Sequence, residues 1–409
     1  MRLPNPVTDD QLRRWLSWVA IAMSWAIYLP LGAKYATWLL AATLSVIALT
    51  HRDGRVHFWR GRVALPALLL VGWLGLSGLW SPAPYPLLAA HLGHYALLLA
   101  MPLVAAAMPA PAAAAALRHF CAASGVVGLL LLMEPLSLLP PSVLLHSTVD
   151  AEGNQRIANS LMLALGVALS LWHATQARQF KPRLAWVGLA ALIGLGLALQ
   201  DRRTGLLTLP LILLAWSLAA PIALWRRFVL ALLVGMSAVG AWQVSDNVRA
   251  RFDEGLRELR QYQSTDHVAN SWGQRMRMVE VTGQMVAEAP LIGHGLASWR
   301  LLWRQRVQAG TQLHDETTPH NEYLLLAQQA GLPAVLLLLW LMAAAAHAAW
   351  QSGHAGIPSL MIWTSIAAAA LGNAVLRDAK FSLPLLMVAA CCAALHRVTS
   401  QGGRTPAGR

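Results

Sequence analysis

The sequence predicts an all-α, polytopic integral membrane protein with about 12 transmembrane helices and a small helical cap on its outer face. Hydrophobic residues make up 57% of the 409 residues and charged residues only 12%, and the mean hydropathy is +0.50. Apolar runs of roughly twenty residues recur along the chain, and each is long enough for a hydrocarbon core of ~30 Å. The chain is therefore expected to cross the membrane many times.

The ends of the spans are marked by proline and by charged residues. The fourth and fifth spans are divided near Pro109 and Pro111, and a different division around these prolines stays open. Twelve spans are predicted, at about 15–32, 35–50, 63–80, 87–108, 112–133, 158–175, 184–200, 205–223, 226–244, 322–350, 358–376 and 381–396.

The distribution of lysine and arginine orients these spans. With the N-terminus inside, sixteen of these residues fall in inner segments and six in short outer ones. Such a bias is typical of cytoplasmic loops, so both termini are expected in the cytoplasm. The net charge of +13 therefore reflects membrane orientation first, and no nucleic-acid partner is inferred from it. The outer cations, which oppose the bias, are Lys34, Arg156, Arg202, Arg203, Arg377 and Lys380.

Hydropathy divides the chain into four parts. Residues 1–244 hold spans one to nine, residues 245–319 form a large outer loop, residues 320–397 hold the last three spans, and residues 398–409 form a cytoplasmic tail expected to be disordered. Within the loop, apolar residues recur at helical spacing over about 248–259, and further helices are predicted at about 271–288 and 296–308. The loop is therefore expected to fold into a helical cap.

The imidazole of His320 lies where this loop enters the tenth span. Pro319 fixes the backbone ahead of the helix, and the positive end of the helix dipole disfavours a charged imidazole there. A neutral imidazole is what a general base requires, so His320 is the candidate catalytic residue, with Asn321 in support. Two alternatives stay open: His320 only caps the helix, or the base is Glu322 or Asp315.

Three arginines are candidates for binding an anion at the outer face. Arg202 and Arg203 directly follow the seventh span, and Asp201 can neutralise only one of them. Charge at a membrane boundary is costly unless it is paired or functional, and a guanidinium matches phosphate oxygens through two parallel hydrogen bonds. Arg275 opens the second helix of the loop. The structural alternatives are snorkelling for the adjacent pair and a solvated helix face for Arg275.

Four further residues are candidates for supporting such a site. Gly293 and Gly295 belong to a tight turn, which either allows close approach to a ligand or only connects two helices. Asn159 and Arg156 lie at the outer start of the sixth span, where a helix cap is the simpler interpretation.

No metal ion and no cofactor are expected. Residue types that bind metals do occur on the outer side, at His294, His314, Asp315 and His320. Their spacing matches no standard metal site, and the sequence has no phosphate-loop or dinucleotide-binding glycine pattern. Arginines are therefore expected to take the place of a divalent cation at a diphosphate.

Four segments in this order resemble the O-antigen ligase and polymerase superfamily of bacterial inner membranes. They are GNQRIANSLMLAL at 153–165, DRRTGLLTL at 201–209, the stretch from QR to PLIGHG at 274–295, and PHNEYLLLAQQAG at 319–331. With the spans between them they cover roughly residues 150–340. One large outer loop placed late in a twelve-span chain is most similar to the O-antigen ligases.

The resemblance implies an inverting, metal-independent glycosyltransferase in the inner membrane, with a periplasmic cap and an active site that faces the periplasm. Its donor would be O-antigen on undecaprenyl diphosphate, its acceptor lipid A–core, and its surroundings membrane lipids. His320 would be the catalytic histidine, and Arg203 and Arg275 would bind the diphosphate. Arg202 stands where the family often has serine, so which arginine of the pair faces the phosphate stays open.

Other functions remain as alternatives. An O-antigen polymerase or a protein O-oligosaccharyltransferase would share the donor and differ in the acceptor. A transporter of an anionic lipid-linked sugar is more distant, and it would predict inverted repeats with broken helices in corresponding positions. The unusual charges of this chain cluster at the outer boundary, which favours chemistry over transport.

Overall fold

The computed structural model describes residues 8–50, 62–140, 142–149, 151–200, 203–220, 271–307 and 312–397, and the single residues 225 and 257. Over this part the chain is 83% helical and has no strand, so the predicted all-α class is confirmed. Three predicted elements lie outside the described residues: the ninth span at about 226–244, the first loop helix at about 248–259, and the tail at 398–409.

Fourteen α-helices, numbered in chain order, make up the described part. The first seven are α1 (Asp9–Ala26), α2 (Leu31–Leu49), α3 (Ala64–Ser77), α4 (Tyr85–Ala107), α5 (Ala110–Met133), α6 (Val143–Thr148) and α7 (Gly153–Gln176). The others are α8 (Phe180–Leu199), α9 (Arg203–Ala219), α10 (Ser271–Glu288), α11 (Trp299–Arg306), α12 (Glu322–Gln351), α13 (Ile357–Ala370) and α14 (Ala379–Arg397).

Six of the described helices, α2, α4, α5, α7, α8 and α12, are long and apolar enough to cross a bilayer. Shorter apolar helices lie at Ala64–Trp80, Thr204–Ala219 and Ala379–Leu395. Each predicted span except the ninth coincides with a described helix, and α4 and α5 divide at Pro109 as expected. A multi-pass membrane protein is supported, whereas the count of twelve spans stays a prediction.

Two helix starts, those of α1 and α7, differ most from the prediction. α1 begins at Asp9, ahead of the expected start at 15, because Thr8 caps it. Thr8 Oγ1 accepts a hydrogen bond from Gln11 N at 3.3 Å, and Thr8 N donates to Gln11 Oε1 at 3.0 Å, which is a capping box. α7 begins at Gly153, ahead of the expected 158, so the polar stretch before Asn159 is helical.

α7 is the central helix of the bundle, with 83% of its most apolar stretch buried. It packs against α5, α8 and α9. Glycines permit close approach: a Cβ on Gly166 would lie 2.7 Å from Ser124 Oγ, and a Cβ on Gly196 would lie 2.6 Å from Gly128 Cα. Inside a membrane, where lipid is as apolar as protein, such close packing is what holds helices together.

The cap packs directly on the head of α12. The predicted helices at 271–288 and 296–308 are present as α10 and α11. The indoles of Trp299 and Trp303 stack with centroids 5.0 Å apart. The apolar core of the cap also includes Leu325 of α12 and Ala374 of the segment between α13 and α14. The loop–membrane junction is therefore a packed interface.

α12 is interrupted at Gly331, where the backbone angles are not helical. The turn at residues 290–295 supplies hydrogen-bond partners for this interruption. His294 N donates to the Gln328 carbonyl at 2.9 Å, and Gly295 N donates to the Gln329 carbonyl at 2.7 Å. Unpaired backbone groups at membrane depth are costly, so the cap stabilises the interrupted helix. A broken helix was one of the features expected of a transporter. Here the interruption is filled by protein backbone, so it does not favour transport.

Candidate functional site

The head of α12 holds His320 in a constrained backbone conformation. Asn321 caps the helix: its Oδ1 accepts from Leu324 N at 3.0 Å, and its Nδ2 donates to the Leu371 carbonyl at 3.1 Å. His320 precedes the cap with φ of +49°. A residue with a side chain adopts this left-handed region only where its surroundings impose it. The backbone therefore fixes the direction of the imidazole just outside the first turn.

The carboxylate of Glu316 contacts this imidazole. The sequence alone did not indicate Glu316 as a site residue. Glu316 Oε2 lies 3.2 Å from His320 Nε2, and the two side chains are 29% and 25% exposed. Because a carboxylate can only accept a hydrogen bond, the neutral imidazole carries its proton on Nε2 and presents its lone pair on Nδ1. A carboxylate orients a catalytic histidine in this way. In the sequence, this contact is visible only as an acid four residues before His320. That spacing becomes informative only when the turn before α12 brings the two side chains together.

Glu322, one of the alternative bases, is 0% exposed. Its carboxylate accepts hydrogen bonds from Tyr95 Oη at 3.0 Å and from Leu376 N at 2.8 Å. These bonds tie the head of α12 to α4 and to the segment before α14. A substrate hydroxyl has no access to this carboxylate, so the geometry leaves Glu322 a structural role.

Asp315, the other alternative base, is held by a different partner. Its side chain is 80% exposed, and its Oδ1 lies 3.2 Å from Arg304 Nη2. It lies next to Glu316 in the chain, yet only Glu316 contacts the imidazole of His320 among the described residues. Asp315 therefore belongs to the surface of the cap.

Arg203 begins α9, and packing fixes where that helix starts. Gly205 N donates to Ser160 Oγ at 3.2 Å, and a Cβ on Gly205 would lie 2.3 Å from the Ser160 carbonyl oxygen. α9 therefore starts against the N-terminal part of α7, next to Asn159. The side chain of Arg203 and the whole of Arg202 lie outside the described residues.

Arg275 lies in the first turns of α10, and its side chain is exposed. Met278, three residues later, is buried in the core of the cap. Arg277 forms an ion pair with Glu280 at 3.1 Å within the same helix. The guanidinium of Arg277 is thus paired within α10.

The supporting residues on α7 are part of the packing. Asn159 is 1% exposed. Its Nδ2 donates to the carbonyls of Ser147 and Thr148, at 3.1 and 3.2 Å, and its Oδ1 accepts from Gln155 Nε2 at 2.8 Å. Asn159 therefore joins the end of α6 to α7. Arg156, on the preceding turn, is half-buried.

Gly293 and Gly295 are required by backbone packing. Their φ angles are +65° and +92°. A Cβ on Gly293 would lie 2.5 Å from Ala330 N, and a Cβ on Gly295 would lie 2.4 Å from Ser81 Cα. Protein backbone occupies the space beside these glycines, so the turn connects the cap to α12 and α3.

The residue types that could bind a metal are dispersed. Over the described part of the chain, no group of three or more His, Cys, Asp or Glu side chains is placed to hold a metal ion. His294 Nε2 instead contacts the Met285 carbonyl at 2.8 Å.

One family model matches part of the chain. Residues 188–339 match the family model described as O-antigen ligase. The matched segment runs from α8 through the cap into α12, and it includes Arg203, Arg275 and His320. A search of the curated proteins found no match. The resemblance to the O-antigen ligase superfamily is thereby confirmed.

Proposed function

We propose that this protein is an O-antigen ligase, an inverting, metal-independent glycosyltransferase of the bacterial inner membrane. It transfers O-antigen polysaccharide from undecaprenyl diphosphate to lipid A–core on the periplasmic side. The observation that carries the proposal is the pair of His320 and Glu316 at the junction of the cap and α12. This pair lies within the segment that matches the O-antigen ligase family.

In the proposed step, a hydroxyl of the acceptor attacks the anomeric carbon of the donor sugar. The new C–O bond forms while the bond between that carbon and the diphosphate oxygen breaks, and the diphosphate leaves with the electron pair. Nδ1 of His320 takes the hydroxyl proton, and Glu316 stabilises the imidazolium that results. Attack from the face opposite the diphosphate inverts the anomeric centre.

The leaving diphosphate needs positive charge as its own negative charge increases. Arg203 and Arg275 are proposed to bind its oxygens, with Arg202 as an additional cation. Fixed cations directed at developing charge are usually the largest single contribution to catalysis of this kind. The proposed reaction uses no cofactor.

The proposal is tested with purified protein, lipid-linked O-antigen and lipid A–core. His320→Gln keeps a hydrogen-bonding side chain and removes the base, so the ligation rate is expected to fall by roughly 10²–10⁴-fold. His347→Gln, on an exposed position near the far end of the same helix, is the matched control and should retain wild-type ligation. Near-normal ligation by His320→Gln would refute the assigned base. Loss of wild-type ligation in EDTA, restored by a divalent metal, would refute metal independence.

A strain that lacks the protein separates ligase from its relatives. Loss of the ligase should leave lipid A–core without polymer and cause lipid-linked polymer to accumulate. Lipid A–core that carries single repeats would indicate a polymerase instead. Unchanged lipopolysaccharide with loss of glycosylated proteins would indicate a protein O-oligosaccharyltransferase.

A further inference from the structure

Three of the six outer cations, Lys34, Arg377 and Lys380, have no part in the proposed reaction, yet the fold brings them together. Lys34 lies on α2, Lys380 lies in the first turn of α14, and Arg377 lies just before that helix. Lys34 and Asp378 contact two adjacent residues of α7, Gln155 and Asn154. Cations on the outer side oppose the usual bias, and charge kept at membrane depth is usually functional.

Hydrogen bonds and adjacency in the chain bring these residues into one outer polar cluster, which consists of Lys34, His91, Asn154, Gln155, Arg377, Asp378 and Lys380. Lys34 Nζ donates to Gln155 Oε1 at 3.1 Å. Asn154 Nδ2 donates to Asp378 Oδ2 at 2.6 Å. Arg377 Nη2 donates to His91 Nε2 at 3.2 Å. The outer ends of α2, α4, α7 and α14 therefore meet at this cluster.

The outer polar cluster has more hydrogen-bond donors than acceptors. Because Arg377 donates to His91 Nε2, that nitrogen is the acceptor and the imidazole proton is on Nδ1. His91 Nδ1 and Arg377 Nε are both buried and have no hydrogen-bond partner among the described residues. Lys34 is 0% exposed and has three N–H groups to donate. Among the described residues, its hydrogen-bond acceptor is Gln155. Buried donors are normally paired, so acceptor atoms are missing here.

The outer polar cluster also has more positive than negative side chains. Over the described part of the chain, the nitrogen atoms of Lys34, Arg377 and Lys380 form no ion pair. Asp378, the carboxylate of the cluster, already accepts from Asn154 and from the backbone N–H of Lys380 at 2.9 Å. An arginine cannot release its proton in a protein. The nearby carboxylate of Glu322 accepts from the backbone N–H groups of Leu376 and Arg377. Among the described residues, neither carboxylate forms an ion pair with a side-chain nitrogen of the three cations, so an anion with several acceptor oxygens would fit the cluster.

We propose that the outer polar cluster binds a phosphate group of a membrane lipid, through Arg377 and Lys380 at its half-buried edge. Leu376 N and Arg377 N donate to Glu322 at 2.8 and 3.5 Å, so this edge is tied to the head of α12, two residues from His320. A phosphate is the anion that matches an arginine fork and supplies several acceptors. The identity of the lipid rests on the proposed function. It is either the donor, which carries a diphosphate, or lipid A, which carries phosphates.

Binding is measured on the purified full-length protein with two pairs of lipids. One pair is undecaprenyl diphosphate and undecaprenol, and the other is bisphosphorylated lipid A and lipid A stripped of phosphate. The variants are Arg377→Gln and Lys380→Gln, with Lys181→Gln, exposed at the start of α8, as the matched control. Each cluster variant should weaken binding of a phosphorylated lipid about tenfold or more, the contribution of a charge-assisted hydrogen bond. Binding of its phosphate-free partner should not change.

Weaker binding of undecaprenyl diphosphate assigns the cluster to the donor, and weaker binding of lipid A assigns it to the acceptor. Unchanged binding of both overturns the proposal, as does equal affinity of the wild type for the two members of each pair. Lys380→Gln leaves the contact between Arg377 and His91 in place, so it decides the matter if Arg377→Gln does not fold. Binding needs no turnover. Phosphate-dependent binding by a wild type that cannot ligate would therefore refute the proposed function and leave this inference intact.

Discussion

Replacing Glu316 with glutamine is expected to slow ligation by about tenfold through kcat. The carboxylate and the imidazole of His320 are 3.2 Å apart, and about a quarter of each side chain is exposed. A hydrogen bond to a charged group contributes about 1.5–3 kcal/mol and a neutral one about 0.5–1.5 kcal/mol, so glutamine, which keeps an accepting oxygen, loses about 1–1.5 kcal/mol. In the proposed step the imidazole gains its charge as it takes the proton, so the contribution is made mainly in the transition state. Each 1.4 kcal/mol lost there is about tenfold in rate.

The measurement is the initial rate of ligation at varied donor concentration with purified protein. Glu316→Gln keeps the size of the side chain and an oxygen that can accept from Nε2, so KM for the donor should not change. Asp315→Asn is the matched control, because Asp315 is adjacent and pairs with Arg304 on the surface of the cap. That control should ligate at the wild-type rate.

Two results would refute the reasoning. If Glu316→Gln ligates at the wild-type rate while His320→Gln is inactive, the carboxylate does not assist the imidazole. If KM rises and kcat does not fall, Glu316 helps to bind the donor and has no part in the proton transfer.

Two further predictions concern packing and orientation. Gly205→Ala should lower the free energy of unfolding by about 1–3 kcal/mol, because its Cβ would lie 2.3 Å from the Ser160 carbonyl oxygen. Gly188→Ala is the control and should leave that free energy unchanged, because no atom lies within 4 Å of its Cβ. Equal melting temperatures for the two variants would contradict this account of how α9 is placed. Asp315→Cys should react with a membrane-impermeant thiol reagent from the outer side and Lys181→Cys only from the cytoplasm, since the native cysteines are buried; labelling of Asp315→Cys only from the cytoplasm would refute the periplasmic site.

The sequence was sufficient for the properties that depend on local composition. Apolar runs predicted the helices because the solvation of a segment depends on its own residues. The division between α4 and α5 falls at Pro109, where proline lacks the N–H that would continue a helix. The two described cap helices were predicted from helix start and stop signals. The four ordered motifs indicated a resemblance to the O-antigen ligase superfamily, and the match at residues 188–339, which contains three of them, supports it. The roles of His320 and of the arginines remain proposals.

The tertiary structure decided what depends on which distant groups meet. Glu322 is two residues from His320 in the chain, yet it is buried against Tyr95 of α4, whereas Glu316 contacts the imidazole. No local pattern contains that distinction, since it arises from the turn before α12 and from the packing of α4.

The outer cations illustrate the same limit. Counting charges along the chain identified Lys34, Arg377 and Lys380 as exceptions to the orientation bias. More than three hundred residues separate the first of them from the other two. The sequence therefore determined that these charges need an explanation, and only the packing of α2, α4, α7 and α14 decided that they belong to one cluster, because electrostatic interaction depends on distance in space.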